Sequence, residues 1–166
     1  MRGLIRAWLV ASTLSGVPST VHALVTGRDV LAATRAAGAL LGRPTVPRGV
    51  AAHVGVSAFW TAVLAAVDAR RPLGVTGGAV AGLAIAALDL GVVRVPAVRA
   101  LPAVPQWLDH VAFGALVGWS LGVSRAGGVH CGPRPATVNG RSCAGRTCAD
   151  ETTGTRNPGP HRGSPA

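Results

Sequence analysis

The sequence predicts an all-α membrane protein: four transmembrane helices in an antiparallel bundle, followed by a disordered C-terminal tail. Three observations carry that expectation. Of the 166 residues 49% are hydrophobic and 13% charged, and the mean hydropathy is +0.42, a balance that leaves too little wettable surface for a soluble domain. The apolar residues gather into runs that approach the roughly 20 residues of helix needed to cross a hydrocarbon core. The charges fall between and after those runs, and every basic residue is Arg.

A net charge of +10 and a pI near 11.8 would suit nucleic-acid binding if the arginines shared one face. They flank the apolar runs instead, the pattern of membrane topology signals and of contacts to anionic lipid, so the expected partner is a lipid bilayer and not a nucleic acid.

The first run, 4–25, carries Ser12, Ser15, Ser19 and His22 at helical spacing, and Pro18 predicts a kink. Arg2 and Arg6 ahead of the apolar stretch, with Val21-His22-Ala23 at its end, also fit a cleaved secretory signal, which would leave three spans. Residues 26–49 hold Arg28, Arg35, Arg43 and Arg48; Asp29 is placed to cap a helix that Gly42 and Pro44 would end. That helix, 30–41, is too short to span. It reads either as an interfacial amphipathic segment or as a solvated loop.

The second span, 50–68, stops at Ala69-Arg70-Arg71-Pro72, and the third, 73–92, follows at once, which predicts a helical hairpin. Residues 94–106, with Pro96, Pro102 and Pro105, read as a stiff extended connector to the fourth span, 107–123. The transmembrane domain is therefore 1–124. From Arg125 the composition turns to Gly, Pro, Arg, Thr and Ser, and 125–166 is expected to be a disordered polar tail. Cys131, Cys143 and Cys148 all lie in it, with none of the paired spacings of a zinc site.

Lipid tails are as apolar as Leu, so helices in a bilayer associate through close backbone approach. Gly74, Gly78, Gly82 and Ala86 repeat every four residues in the third span, and Gly114, Gly118 and Gly122 do so in the fourth. Packing of spans three and four on each other is the favoured use of these ladders; a homodimer seam is the alternative.

Antiparallel threading brings the end of span one, the start of two, the end of three and the start of four to one membrane face. Each of those ends has an ionisable residue: His22, His53, Asp89, and Asp109 with His110. With Ser57 on the His53 stripe, they form a candidate intramembrane polar pocket able to relay protons or hold a metal ion. Hydrogen-bonded structural contacts between helices are the competing role. Asp68, Arg70 and Arg71 mark the opposite face, where Arg6 is expected to approach.

No G-x-S-x-G, H-E-x-x-H, phosphate-loop or dinucleotide fingerprint occurs, and Glu151 is the single Glu, which argues against a hydrolase. No cofactor and no catalytic residue is expected. Ser15-Gly16-Val17-Pro18-Ser19-Thr20, Ala52-His53 and Pro105-Gln106-Trp107-Leu108-Asp109-His110 together resemble uncharacterised small multi-pass integral membrane proteins of actinobacteria. The resemblance covers the spans and not the tail, and implies a plasma-membrane location without any catalytic residues. The expected role is structural or accessory; a small transporter or a proton- or metal-handling protein using the pocket is the alternative. Arg2, Arg6, Arg70, Arg71, Arg125 and the tail arginines outnumber Arg28, Arg35, Arg43, Arg48, Arg94 and Arg99, which places both termini in the cytoplasm.

Overall fold

A computed structural model describes residues 1–92 and 95–126, and these are helical with no strand among them. The expected tail from 127 onward, with its cysteines, lies outside the described residues, as do Val93 and Arg94. Arg125 and Ala126, expected to open that tail, are instead the last residues of a helix.

The first apolar run is broken into α1 (Arg2–Leu14) and α2 (Val17–Val25). Pro18 is the cause, and the break falls before it. A proline removes its own N–H and clashes with the carbonyl four residues earlier, which here is Leu14, the last residue of α1. Gly27, at φ 64, ends α2 in the left-handed conformation, and Arg28 N–H closes back on Ala23 O at 2.8 Å.

The first loop is neither a free interfacial helix nor an open loop. It forms α3 (Ala32–Gly38) and a 3-10 turn (Ala39–Leu41) that Gly42 ends at φ 92. Asp29 Oδ1 accepts the Leu31 N–H at 2.8 Å, and its carboxylate pairs with Arg35. The packed face consists of small residues: Ala36 and Gly38 are buried, while Val30, Leu31, Leu40 and Leu41 are exposed. A methyl group on Gly49 would fall on the carbonyl of Thr34, so the backbone of α3 rests on the start of the next helix.

That helix, α4 (Val46–Arg70), begins one turn earlier than 50–68, because Thr45 takes the extended N-cap conformation and Pro47 occupies the first turn, where its missing N–H costs nothing. A short turn leads to α5 (Gly74–Gly91). The expected extended connector is partly helical: α6 (Pro96–Arg99) starts at a proline, and α7 (Ala103–Ala126) starts directly after Pro102. Pro105 lies in that first turn, where the N–H groups have no intrahelical acceptor in any case.

The principal packing partner of α5 is α7, while α4 packs mainly on α3 and α1. The expected hairpin of spans two and three is thus a chain connection more than a packing unit. Methyl groups on Gly74's partner Gly118, on Gly78, on Gly82 and on Gly114 would all strike backbone of the facing helix: Gly118 meets Gly74, Gly78 meets Gly114, and Gly82 meets His110. Residue numbers rise along α5 as they fall along α7. Gly122, the last rung, faces open space.

Three helical stretches are long and apolar enough to cross a membrane: Arg2–Val25, Val46–Arg70 and Gly74–Gly91. The large side chains Leu9, Val21, Val54, Phe59, Val80 and Leu83 point outward, whereas the inner stripe of α4 is Gly49, Ala52, Ser57, Thr61, Leu64 and Asp68. Such an arrangement inverts a soluble helix bundle. The remaining long helix, α7, touches α5, α1, α2 and α4, and these contacts half-bury Gln106, Asp109 and His110. A small core of Ala11, Leu64, Ile85, Phe113 and Val117 sits at the middle.

Candidate intramembrane polar site

Five of the six predicted pocket residues line one cavity of about 520 Å³: His53 and Ser57 from α4, Asp89 from α5, and Asp109 and His110 from α7. The sixth, His22, does not line it. Its carbonyl closes the end of α2, accepting the Thr26 N–H at 3.1 Å and the Thr26 hydroxyl at 2.6 Å. The kink explains the miss, because the break at Ser15-Gly16 resets the face that α2 presents, and a stripe read as continuous from Ser15 to His22 is not continuous.

His110 is held from two sides. Its Nδ1 lies 2.7 Å from Gln106 O and its Nε2 3.3 Å from Asp89 Oδ2. A carbonyl only accepts, so Nδ1 carries a proton. The contact to Asp89 then needs a second proton, either on Nε2 as an imidazolium facing a carboxylate or on the carboxyl donating to a neutral ring. In either form the α5–α7 dyad holds one exchangeable proton, half-buried.

Asp109, one residue earlier, turns to the other side of α7 and takes the Ser19 backbone N–H at 3.0 Å on Oδ1. That N–H is among those the first turn of α2 leaves without an intrahelical acceptor, so the break at Pro18 creates the donor that positions the carboxylate. His53 Nε2 donates to Ser12 O across 2.8 Å, tying α4 to α1 and leaving Nδ1 with a lone pair when the ring is neutral.

Sequence reasoning overlooked the roof and the aromatic wall of this cavity. Ala33, Ala37 and Leu40 close it from the first loop and Val95, Val98 and Leu101 from the second, while Phe59, Trp60 and Phe113 line its side. Phe59 and Trp60 meet edge to face with centroids 5.1 Å apart. Gln106 is the other omission. Its side-chain amide reaches the carbonyls of Val98, Leu101 and Pro102 at 3.2–3.3 Å, and its own carbonyl receives His110, so one residue holds the roof and orients the imidazole. The i, i+4 spacing of Gln106 and His110 was the available signal.

At the far end Asp68 is buried and pairs with Arg125, not with Arg70, Arg71 or Arg6. Arg70 instead donates to Ala66 O within its own helix. Asp68 Oδ1 also takes the Leu73 N–H at 2.9 Å. Among the described residues no group of three or more His, Cys, Asp or Glu side chains is placed to hold a metal ion.

Comparison with known proteins returns no relative: no family model, no curated protein and no solved structure matches the chain.

Proposed function

We propose that this chain is a four-span integral membrane protein of the plasma membrane, an antiparallel bundle that takes a proton or a small solute into its His/Asp cavity. The observation that carries the reading is the convergence of His53, Asp89, Asp109 and His110 on one cavity inside a molecule whose large aliphatic side chains face outward. Ionisable groups at such depth are expensive and mark pathways or binding sites in membrane proteins. The helix α7 counts as the fourth span because its charged groups find partners on the neighbouring helices, Asp109 on α2, His110 on α5 and Arg125 on α4, leaving length as the remaining requirement: 24 residues rise about 36 Å. Contacts between Gly3 and Ser124, Ser19 and Asp109, and Gly78 and Gly114 support up-and-down threading.

The competing role is structural or accessory. A homodimer seam has less to draw on than the ladders suggested, since Gly74, Gly78, Gly82, Gly114 and Gly118 face one another within the chain. Protein reconstituted in vesicles separates the two roles. Under the pocket reading, wild type shows a pH-dependent proton or solute response that His53→Ala and His110→Ala abolish. A response absent from wild type, or unchanged in both variants, leaves the accessory role. Extraction by alkaline carbonate would end the membrane assignment, and a C-terminal reporter active only outside the cytoplasm would reverse the proposed orientation of both termini.

A further inference from the structure

With Asp109 ionised, the charges around the cavity do not cancel. Asp89 and His110 balance each other as a dyad, and His53 spends its Nε2–H on Ser12 O. Asp109 is left. Its carboxylate is held by a backbone N–H, and among the described residues it forms no ion pair and no arginine lines the cavity. A half-buried carboxylate among apolar neighbours and without a counter-charge is costly, so the site favours a cation that supplies one.

The walls narrow the kind of cation. A transition-metal ion would need three or more His, Cys, Asp or Glu ligands in reach, and among the described residues no such group is brought together. The lining is instead mainly hydrocarbon and aromatic, with Val56, Ile85, Phe59, Trp60 and Phe113 contributing. Aromatic faces attract cations, and most strongly where water is excluded. At about 520 Å³ the cavity lies within the roughly 300–1,000 Å³ of sites that enclose drug-sized molecules.

We infer that the cavity binds an amphipathic organic cation, its apolar body against Trp60, Ile85 and Phe113 and its charge countered by Asp109. This deepens the proposed function by naming the solute class, and it rests on that reading. Asp109 is the binding counter-ion, while Asp89 and His110 form the neutral wall beside it.

The test uses full-length protein in zwitterionic lipid nanodiscs, with tetraphenylphosphonium as probe and tetraphenylborate, its anionic isostere, as control. Saturable binding of the phosphonium above empty nanodiscs, without binding of the borate, is expected. Asp109→Asn should weaken it by about tenfold or more, whereas Asp109→Glu and the remote Asp29→Asn should retain it. The wild-type comparison of the two ions does not depend on any variant folding. Equal binding of both ions, no binding of either, or phosphonium binding indifferent to a folded Asp109→Asn each overturns the inference. If a proton response lost in His53→Ala and His110→Ala persists while the cation is not selected, this inference falls alone and the proposed function stands.

Discussion

The two ends of the bundle handle their carboxylates in opposite ways. At one end Asp68 is enclosed and fully engaged, its oxygens taken by Arg125 and the Leu73 N–H. At the other, Asp89 and Asp109 are only half-buried, share their surroundings with His53 and His110, and border a cavity of about 520 Å³. One end is a clamp that joins α4 to the end of α7 and the start of α5. The other leaves room. The difference teaches that ionisable residues in an apolar helix bundle are not one class: a buried carboxylate with a permanent cation stabilises, while carboxylates beside imidazoles and an open volume can exchange protons or partners.

The glycine seam between α5 and α7 holds both ends in register, so breaking it should blur the contrast most. Gly78→Leu drives a side chain into the backbone at Gly114. It should cost about 3 kcal/mol, the upper end of overpacking penalties, and disturb both ends together. Thermal unfolding in detergent, followed by intrinsic fluorescence and helicity, measures it; a variant as stable as wild type would mean that the seam is not tight.

Asp68→Ala should come next, at about 2 kcal/mol. The buried acceptor of the Leu73 N–H is lost, but Arg125 is half exposed and can turn to water, so no charge is stranded. The cavity end should keep its response. Loss of that response in Asp68→Ala would mean that the two ends are coupled and the contrast is wrong.

At the cavity end His110→Ala removes one interhelical contact of ordinary strength, and a loss of only about 1 kcal/mol is expected, with the proton response abolished. A large stability loss with no functional change would make the dyad a second clamp. His22→Ala is the smallest, within about 0.5 kcal/mol and without effect on the response, since His22 stands apart from the cavity. A His22→Ala variant that matched His110→Ala would restore the sequence-based grouping of all the histidines.

Much of the site was legible because helical spacing fixes which residues share a face. Asp89 three residues beyond Ala86, and His110 four before Gly114, had to turn toward the glycine seam once the seam was recognised. His53 and Ser57 followed from the same period on α4. His22 failed because a proline separates it from the stripe to which it was assigned, and Pro18 resets the helix at Leu14 instead of merely bending it. The roof over the cavity was hidden for another reason. Residues 32–41 and 96–101 are short and proline- or glycine-bounded, so no long period marks them, and the small residues that let α3 lie on Gly49 look like filler in an alanine-rich chain.

The sequence by itself determined the all-helical class, the apolar stretches, the glycine rungs and the membership of most of the polar cluster. These depend on composition and on a local period of about 3.6 residues, and both are properties of the chain alone. Only the tertiary structure decided which partner each charge takes and where empty volume remains. Asp68 chose Arg125 over the neighbouring Arg70 and Arg71, and Asp109 chose a backbone N–H freed by a proline 91 residues before it. Pairing is set by the distance between side chains on different helices, and that distance depends on how closely glycine lets their backbones approach.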